Sequence, residues 1–307
     1  MDFNSNSLPY EPSSECSNLI ISFSVVIIIL LFPFKLISSL IKSRKIIRRF
    51  QPDLVIGTGG FASGPLLYAA SRKGVPSVIQ EQNSYPGITN KLLAKSVQKI
   101  CVAYDNMDRF FPKEKLIFTG NPIRKEILNS SNKREEGKNF FKLHNGRITV
   151  LVVGGSLGAK TINESVNNNL EEFKENKLNL IWQTGVSYEN QAEESVKSIN
   201  ESGIKSYKFI KEMDLAYAAA DIIVSRAGAI AISELCYVGK PVILVPSPNV
   251  AEDHQTQNAQ SLVNKNSALM VKDVESRLKL VEKIKSLSKN KDLQEELSRN
   301  IKKLEVK

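Results

Sequence analysis

Short apolar runs alternate with helical segments along most of the chain, and this alternation constrains the fold more than any other feature. Ten runs of strand length lie between residues 53 and 271, and segments with the apolar period of a helix separate them. This order is typical of parallel sheets covered by helices. The predicted strands are Leu54–Ile56, Val78–Ile79, Ile100–Ala103, Leu116–Phe118, Ile148–Val153, Leu180–Gln183, Tyr207–Ile210, Ile222–Val224, Val242–Val245 and Ala268–Val271.

The spacing of these runs predicts two domains. The six runs from Ile148 onward are regular and indicate a doubly wound parallel sheet, whereas the first four form a smaller set. With 307 residues, the chain is long enough for two domains of roughly 150 residues each. We therefore predict an α/β protein with Rossmann-like domains at residues 31–128 and 148–307, joined by a polar connector at residues 129–147.

Composition excludes several classes of protein. The chain is 42% hydrophobic and 24% charged, with 16 Gly and 12 Pro, which is ordinary for a folded protein and unlike collagen-like or disordered chains. Its three cysteines, Cys16, Cys101 and Cys236, are odd in number and scattered. They therefore indicate neither a disulfide framework nor a zinc cluster, and they are typical of a reducing cytosol.

The basic charge is confined to the first half. Residues 1–147 hold 21 Lys and Arg against 11 Asp and Glu, whereas residues 148–307 hold 21 of each kind. Such asymmetry indicates a polyanionic partner or an anionic membrane surface, or else only a charged exterior. The sequence has no zinc-finger, basic-zipper or RNA-stacking signature, so no nucleic-acid partner is expected.

The N-terminal segment is first polar, then apolar, then basic. Residues 1–18 are rich in Ser, Asn and Pro and are predicted to be disordered. The apolar run at residues 19–32 is shorter than the ~20 residues of a spanning helix, so a short anchor, a buried or interfacial element and a segment foreign to the fold all stay open. A helix over Lys42–Arg49 is typical of a membrane surface or of an ordinary basic exterior. Its predicted apolar face comprises Ile41, Ile46 and Ile47.

Two glycine-rich segments each follow a predicted strand and precede a helix: Gly57–Pro65 (GTGGFASGP) and Gly154–Gly158 (GGSLG). Glycine permits positive φ and close backbone approach, and a helix N-terminus offers free N–H groups to an anion. Each segment is either a diphosphate-binding loop or a tight strand–helix turn. Neither has the full dinucleotide fingerprint or the lysine of a P-loop. Two such turns, one in each half, predict a ligand held between two domains.

Three polar segments lie where other strands end. They are Gln80–Asn83, Arg226–Glu234 and Asp253–Asn258. The carboxyl ends of strands form the ligand edge of open α/β sheets, so amides there can bind sugar hydroxyls and Glu234 can accept both hydroxyls of a ribose. Loop hydrogen bonding and the preference of helix N-termini for acids are the structural alternatives. The sequence has no metal-ligand spacing and no serine-nucleophile elbow, so neither a metal nor a cofactor is expected.

Six ordered segments resemble one family. They are PFKLISSLIKSRKIIRRFQPDLVIGTGGFASGPLL, IQEQNSYPGITNKLLAK, FTGNPIR, VLVVGGSLGAKTIN, FIKEMDLAYAAADIIVSRAGAIAISEL and EDHQTQNAQSL. Together they resemble the MurG family of peptidoglycan N-acetylglucosaminyltransferases, from about Leu31 onward. The resemblance implies a glycosyltransferase-B fold, with UDP-N-acetylglucosamine in the cleft between two Rossmann-like domains. It also implies a lipid-linked acceptor, lipid I, and a peripheral location on the cytoplasmic side of the inner membrane.

The resemblance further implies a set of donor-binding residues: Asn83, Arg124, Ser156, Ile210, Ala229, Ile230, Ala231, Ile232, Ser233, Glu234 and Gln255. In this set Asn83 and Gln255 are expected at the sugar, Arg124 and Ser156 at the diphosphate, and the backbone of Ile210 at the uracil. The remaining residues form the start of a helix that ends on the ribose-binding glutamate. The implied reaction is inverting transfer of N-acetylglucosamine to the 4-hydroxyl of the acceptor muramoyl group, with UDP leaving.

One family feature has no counterpart in this sequence. The family begins with a strand and a Gly-Gly-Thr-Gly-Gly-His loop that serves the acceptor and catalysis, and residues 1–30 do not resemble it. We therefore expect an incomplete N-terminal domain, a last helix cut short at Lys307, no assignable general base, and no turnover. A nucleotide-sugar-binding protein without catalysis is the alternative, and a UDP-N-acetylglucosamine 2-epimerase is a weaker one.

Overall fold

A computed structural model describes residues 14–306, with side chains from residue 31 onward except Ala251. Within this range ten strands form two sheets: β1 (Val55–Gly57), β2 (Ser77–Glu81), β3 (Lys99–Val102), β4 (Leu116–Phe118), β5 (Thr149–Val153), β6 (Asn179–Gln183), β7 (Ile204–Tyr207), β8 (Ile222–Ser225), β9 (Val242–Leu244) and β10 (Leu269–Met270). The helices are α1 (Ser14–Phe50), α2 (Gly60–Arg72), α3 (Ile88–Leu93), α4 (Lys125–Leu128), α5 (Arg134–Phe140), α6 (Lys160–Asn167), α7 (Leu170–Glu175), α8 (Glu189–Ile199), α9 (Met213–Ala219), α10 (Ala229–Val238), α11 (His254–Val263), α12 (Ser276–Ser288) and α13 (Lys291–Lys302).

Both sheets are parallel, and each belongs to one half of the chain. The first has four strands in the order β1-β2-β3-β4, and the second has six in the order β10-β9-β8-β5-β6-β7. In the second sheet the first strand, β5, is central, and the strand order reverses between β5 and β8. This is the doubly wound Rossmann order. The predicted α/β class with two Rossmann-like domains is confirmed.

The central strand β5 is buried on both faces. Val150 and Val152 pack in the core on one side of the sheet together with Trp182, whereas Leu151 packs on the other side with Ile223. Successive side chains of a strand point to opposite faces. A continuous apolar run therefore predicts a strand that helices cover on both sides, and here the prediction is correct.

The predicted strands all have counterparts, but the seventh is displaced. The sequence predicted Tyr207–Ile210, and the strand is Ile204–Tyr207, with Ile204 paired to Leu180. The prediction was wrong because β7 lies at the edge of the sheet, where a mixed apolar and polar run suffices for pairing on one side. The residues after Tyr207 leave the sheet and reach the ligand edge.

Helix α1 packs on α2 through its C-terminal part. Ser43 and Ile47, one turn apart, are buried, whereas Ile41 and Ile46 are 59% and 54% exposed. The predicted apolar face of Ile41, Ile46 and Ile47 is therefore wrong for all but Ile47. The physical reason is that side chains four residues apart share a helix face, whereas adjacent ones do not.

The predicted disordered stretch, residues 1–18, overlaps α1, which begins at Ser14; residues 1–13 lie outside the described range. The side chains of residues 19–30 also lie outside it, so the three interpretations of that apolar run stay open. No helix within residues 31–306 has the length and the apolar character needed to cross a bilayer.

The polar stretch at residues 129–147 connects the two sheets and is itself folded. It contains α5, and Phe141, just beyond that helix, is buried with its ring centroid 5.5 Å from that of Tyr207. Arg134 of α5 pairs with Asp221 at 2.6 Å. The stretch therefore packs on the second domain and is not an extended linker.

Candidate functional site

A cavity of about 860 Å³ lies at the carboxyl edge of the second sheet. The loops that follow β5, β8 and β9 line it, and Arg124 from the loop after β4 closes one side. The strand order reverses between β5 and β8, and open α/β sheets bind ligands at such a switch point. The volume is within the usual range of small-molecule and cofactor sites.

The glycine-rich loop after β5 forms one wall of this cavity. Gly155 and Gly158 have φ angles of +89° and +81°, and a Cβ at Gly158 would overlap the carbonyl oxygen of Thr184. Glycine is therefore required at position 158 for both conformation and space. The loop leads into α6, so its backbone N–H groups and the exposed hydroxyl of Ser156 lie at a helix N-terminus, where an anion is favoured.

Gln183, at the end of β6, holds this loop through a side-chain hydrogen bond. Nε2 of Gln183 donates to the carbonyl of Gly155 at 3.0 Å, and Oε1 accepts from the backbone N–H of Ile210 at 2.9 Å. Gln183 is 3% exposed. The N–H of Ile210 is thus already engaged, which leaves its carbonyl for a ligand. The sequence signal that was missed is an amide at the end of an otherwise apolar buried strand.

Glu234, on α10, is a buried carboxylate at the cavity wall. It is 2% exposed, and Arg124 donates two hydrogen bonds to it, from Nε to Oε1 at 2.6 Å and from Nη2 to Oε2 at 2.7 Å. Tyr217 donates its hydroxyl to Oε2 at 3.3 Å. Burial raises the pKa of Tyr217, and the hydrogen bonds to Glu234 raise the pKa of Arg124. The ion pair joins the two domains, and Arg124 supplies the positive charge that the buried carboxylate of Glu234 needs.

Arg226, after β8, joins the loops along the strand ends. Its Nη1 donates to the carbonyls of Val245 and Pro246 at 3.0 and 3.1 Å and to Asp273 at 2.5 Å. The same Asp273 oxygen accepts the hydroxyl of Thr161, in α6, at 2.5 Å. Four segments therefore meet at one partly buried ion pair. Sequence reasoning named the segment of Arg226 but missed Asp273, because no local pattern relates positions this far apart.

Gln255, in the first turn of α11, lines the cavity and holds its rim. Its Oε1 accepts from the backbone N–H groups of Ala227 at 3.2 Å and Ser247 at 2.9 Å. The oxygen thus connects the loops after β8 and β9. Because Oε1 is engaged, the amide nitrogen of Gln255 is the part of the side chain available to a ligand.

The structure brings most of the implied donor-binding residues to one cavity. Those that line it are Arg124, Ser156, Ile210, Ile230, Ala231, Glu234 and Gln255. Ala229 begins α10, and Ile232 is buried in the core. Ser233 accepts a hydrogen bond from Asn121 at 3.1 Å. The helical period explains this division, because positions 230, 231 and 234 share one face of α10 and positions 232 and 233 lie on another.

Two predicted parts of the site lie outside this cavity. Asn83, in the loop after β2, bonds to Glu81 and to Asn258 and does not line it. The glycine-rich segment Gly57–Pro65 does not line it either, and Phe61 within that segment is 94% exposed. The cavity therefore has one glycine-rich loop and not the two expected. No cluster of three or more His, Cys, Asp or Glu suited to a metal occurs in the described part of the chain.

The two halves of the chain match the two domain models of a single family. Residues 149–307 match the glycosyltransferase family 28 C-terminal domain, and residues 27–102 match the glycosyltransferase family 28 N-terminal domain. The chain belongs to glycosyltransferase family 28.

Individual relatives carry a more specific name. The UDP-N-acetylglucosamine--N-acetylmuramyl-(pentapeptide) pyrophosphoryl-undecaprenol N-acetylglucosamine transferase of Flavobacterium psychrophilum is 51% identical over 276 residues, 89% of this chain and 74% of that protein. The transferase of the same name from Cytophaga hutchinsonii is 53% identical over 272 residues, covering 89% and 73%. The crystal structure of Acinetobacter baumannii MurG matches with a TM-score of 0.72 at 27% identity, covering 88% of this chain and 76% of that one. The family resemblance predicted from the sequence is confirmed.

Proposed function

We propose that this chain transfers N-acetylglucosamine from UDP-N-acetylglucosamine to undecaprenyl-linked muramoylpentapeptide, the step from lipid I to lipid II in peptidoglycan synthesis. Relatives with half of their residues identical bear the name of this transferase. The observation that carries the proposal is the cavity at the strand-order switch point, with a glycine-rich helix start on one wall and the buried Glu234 on another. These two features suit the diphosphate and the ribose of a nucleotide sugar.

The diphosphate binds at the start of α6. Gly154, Gly155 and Ser156 line the cavity just before this helix, and exposed Ser156 offers its hydroxyl there as a donor. The positive end of the helix dipole favours the negative charge of the diphosphate. When the sugar leaves, the diphosphate gains charge, and donors already in place stabilise it without reorganisation.

Arg124 changes partner when the donor binds. Its side chain is 48% exposed, whereas that of Glu234 is 3% exposed, so the arginine can move into the cavity while the carboxylate stays. The ribose hydroxyls then donate to the freed Glu234 oxygens, and the guanidinium reaches the diphosphate. One ligand thus replaces both halves of the ion pair, which keeps the carboxylate partnered throughout.

Transfer proceeds by displacement at the anomeric carbon. The 4-hydroxyl of the acceptor attacks from the face opposite UDP, the bond from that carbon to the diphosphate oxygen breaks, and UDP leaves with the electron pair. A general base must take the hydroxyl proton. Neither His144 nor His254 lines the cavity, and we assign the base to neither.

The acceptor is a lipid, and the outer surface of α1 suits a membrane. Phe32, Phe34 and Ile37 are 58%, 71% and 56% exposed. Six basic residues, Lys35, Lys42, Arg44, Lys45, Arg48 and Arg49, lie on the same helix. An apolar and basic surface is attracted to anionic headgroups. We therefore place the protein peripherally on the anionic cytoplasmic face of the inner membrane.

Calorimetric titration of the chain with UDP tests the donor site. Wild type is expected to bind, and Glu234→Ala to weaken binding by about 1–3 kcal/mol, because a buried, charged acceptor for the ribose is lost. Glu282→Ala, which removes an exposed carboxylate on α12, serves as the matched control. Unchanged affinity in Glu234→Ala contradicts the ribose assignment.

The transfer reaction is assayed with radiolabelled UDP-N-acetylglucosamine and a lipid I analogue, and label in the lipid product is measured. Formation of labelled lipid II establishes the reaction and contradicts the expectation, drawn from the missing glycine-histidine loop, that this chain does not turn over. Donor binding without any labelled product indicates instead the non-catalytic, nucleotide-sugar-binding function.

A further inference from the structure

Asn258, on α11, is completely buried between the two domains and uses both ends of its amide there. Its Oδ1 accepts from the backbone N–H of Ser84 at 2.9 Å and from the Ser84 hydroxyl at 3.1 Å. Its Nδ2 donates to Oδ1 of Asn83 at 3.0 Å and to the carbonyl of Ala227 at 3.3 Å. One side chain of the second domain therefore ties the loop after β2 to the loop after β8.

The first-domain end of this connection is organised by Glu81. This residue is 3% exposed. Its Oε1 accepts from the backbone N–H and the Nδ2 of Asn83 at 3.0 and 3.3 Å, and its Oε2 accepts from the N–H of Gly87 at 3.1 Å and from Nδ2 of Asn90 at 2.8 Å. All four partners are N–H donors. Glu81 thus acts only as an acceptor and holds the whole loop.

This arrangement fixes the direction of every amide along the connection. Because Glu81 accepts, Asn83 must turn its Nδ2 toward it, and its Oδ1 then faces Asn258. Asn258 must meet that oxygen with Nδ2, which leaves its own Oδ1 for the donors of Ser84. Both carboxylate oxygens of Glu81 and both amide atoms of Asn258 are bonded, and such a buried network favours a single arrangement. The amide of Asn83 retains one N–H and one oxygen lone pair for a ligand.

We propose that Asn258 is a positioning residue that sets the amide of Asn83 for the sugar of the donor and does so only when the two domains are apposed. This inference rests on the proposed function and on the contact with the sugar that the family resemblance implies for Asn83. The residues proposed to hold uridine and diphosphate are Ser156, Ile210, Glu234 and Arg124, and Asn258 hydrogen-bonds to none of these. Recognition of the sugar is thereby coupled to domain apposition, and recognition of UDP is not.

The test uses the 307-residue chain and compares its affinity for UDP with its affinity for UDP-N-acetylglucosamine, both measured by calorimetry. Asn258→Asp keeps the oxygen that accepts from Ser84 and replaces the donor with an oxygen that faces two acceptors. We expect affinity for UDP-N-acetylglucosamine to fall about tenfold while affinity for UDP stays within about twofold. Gln257→Glu, an exposed amide-to-acid change at the neighbouring position, is the matched control. If the aspartate variant does not fold, Asn258→Ala removes the same donor without adding charge.

A double-mutant cycle with Asn83→Ala separates positioning from general destabilisation. If Asn258 acts through Asn83, adding Asn258→Asp to Asn83→Ala lowers sugar-dependent affinity no further. Equal weakening of UDP and UDP-N-acetylglucosamine by Asn258→Asp overturns the positioning role. The positioning role is also overturned if Asn83→Ala removes the extra affinity for UDP-N-acetylglucosamine over UDP but Asn258→Asp does not. If wild type does not bind UDP, the proposed function fails, which is a distinct result.

Discussion

Gly158 is the residue at which the donor loop depends most directly on side-chain size. Its φ is +81°, and a Cβ would overlap the carbonyl oxygen of Thr184, which also accepts from Nδ2 of Asn163 at 2.7 Å. Gly158→Ala must therefore strain the backbone and displace a bonded carbonyl. We expect the free energy of unfolding to fall by about 1–3 kcal/mol beyond the control below, and UDP binding to weaken as the loop shifts. Chemical denaturation and calorimetry measure the two effects.

Gly146→Ala provides the matched control for that substitution. Gly146 has a similar φ, +76°, but nothing lies within 4 Å of its Cβ position. Its replacement costs only the backbone preference, about 1–2 kcal/mol, and leaves UDP affinity unchanged. Equal effects of the two substitutions would contradict the role assigned to the Thr184 contact.

The sequence was sufficient to predict individual site residues, but not the residues to which they bond. The sequence singled out Glu234 because an acid at a helix start beside a ligand edge has a clear chemistry. Its ion pair with Arg124 joins residues 110 positions apart, and no local pattern reports such a distance. Gln255 was predicted for its amide, yet only the fold shows that its oxygen already holds Ala227 and Ser247.

Among the elements, the ends of β8, β9 and β10 depend on one another through Arg226 and Asp273. The two side chains are 15% and 11% exposed. Asp273→Asn leaves the partly buried guanidinium without a counter-charge, which costs on the order of 3 kcal/mol. We expect this loss in chemical denaturation, together with weaker UDP binding, because weaker bonds to a neutral amide hold the loop that carries Ser247 less firmly to the start of α6.

The control for this prediction is an ion pair in solvent. Glu295→Gln removes the partner of Arg299 on α13, and the two side chains are 70% and 65% exposed. Exposed pairs contribute about 0–1 kcal/mol, so little change is expected. An Asp273→Asn variant as stable as Glu295→Gln would contradict the structural role of the Arg226–Asp273 pair.

Elements were predicted well where burial is complete and poorly where it is partial. The run Ile148–Val153 is apolar throughout because helices cover both faces of β5, so its strand was easily found. Strand β7 has one unpaired edge and a mixed sequence, and its position was predicted three residues too late. On α1 the exposed isoleucines outnumber the buried one, so apolar character alone did not indicate which face packs.

For the whole molecule, the sequence predicted two domains but not how they meet. Polar contacts join them, among them Arg124 with Glu234, Asn121 with Ser233, Lys265 with Asp105, and Asn258 with the loop after β2. Hydrogen bonds of this kind leave no hydrophobic pattern in the sequence. The side chains at the domain junction are therefore the part of the site that required a structure.

The uneven charge of the whole chain leads to a prediction about membranes. The excess of Lys and Arg lies entirely in residues 1–147, and α1 exposes apolar and basic side chains together. We expect the chain to sediment with vesicles that contain phosphatidylglycerol and not with pure phosphatidylcholine. Each basic residue near an anionic surface contributes about 1 kcal/mol, and salt reduces the range of that attraction from about 10 Å at 0.1 M to about 3 Å at 1 M.

Charge-reversal variants assign this attraction to α1. Lys45→Glu with Arg48→Glu changes two exposed residues of the helix, and Lys283→Glu with Lys289→Glu makes the same change in charge on the second domain. The first pair is expected to abolish salt-sensitive binding, and the second to leave most of it, because the second domain carries no basic excess. Binding that resists both high salt and carbonate would contradict peripheral attachment. It would favour instead the interpretation of residues 19–32 as an inserted anchor, for which hydrophobic burial, unscreened by salt, supplies the free energy.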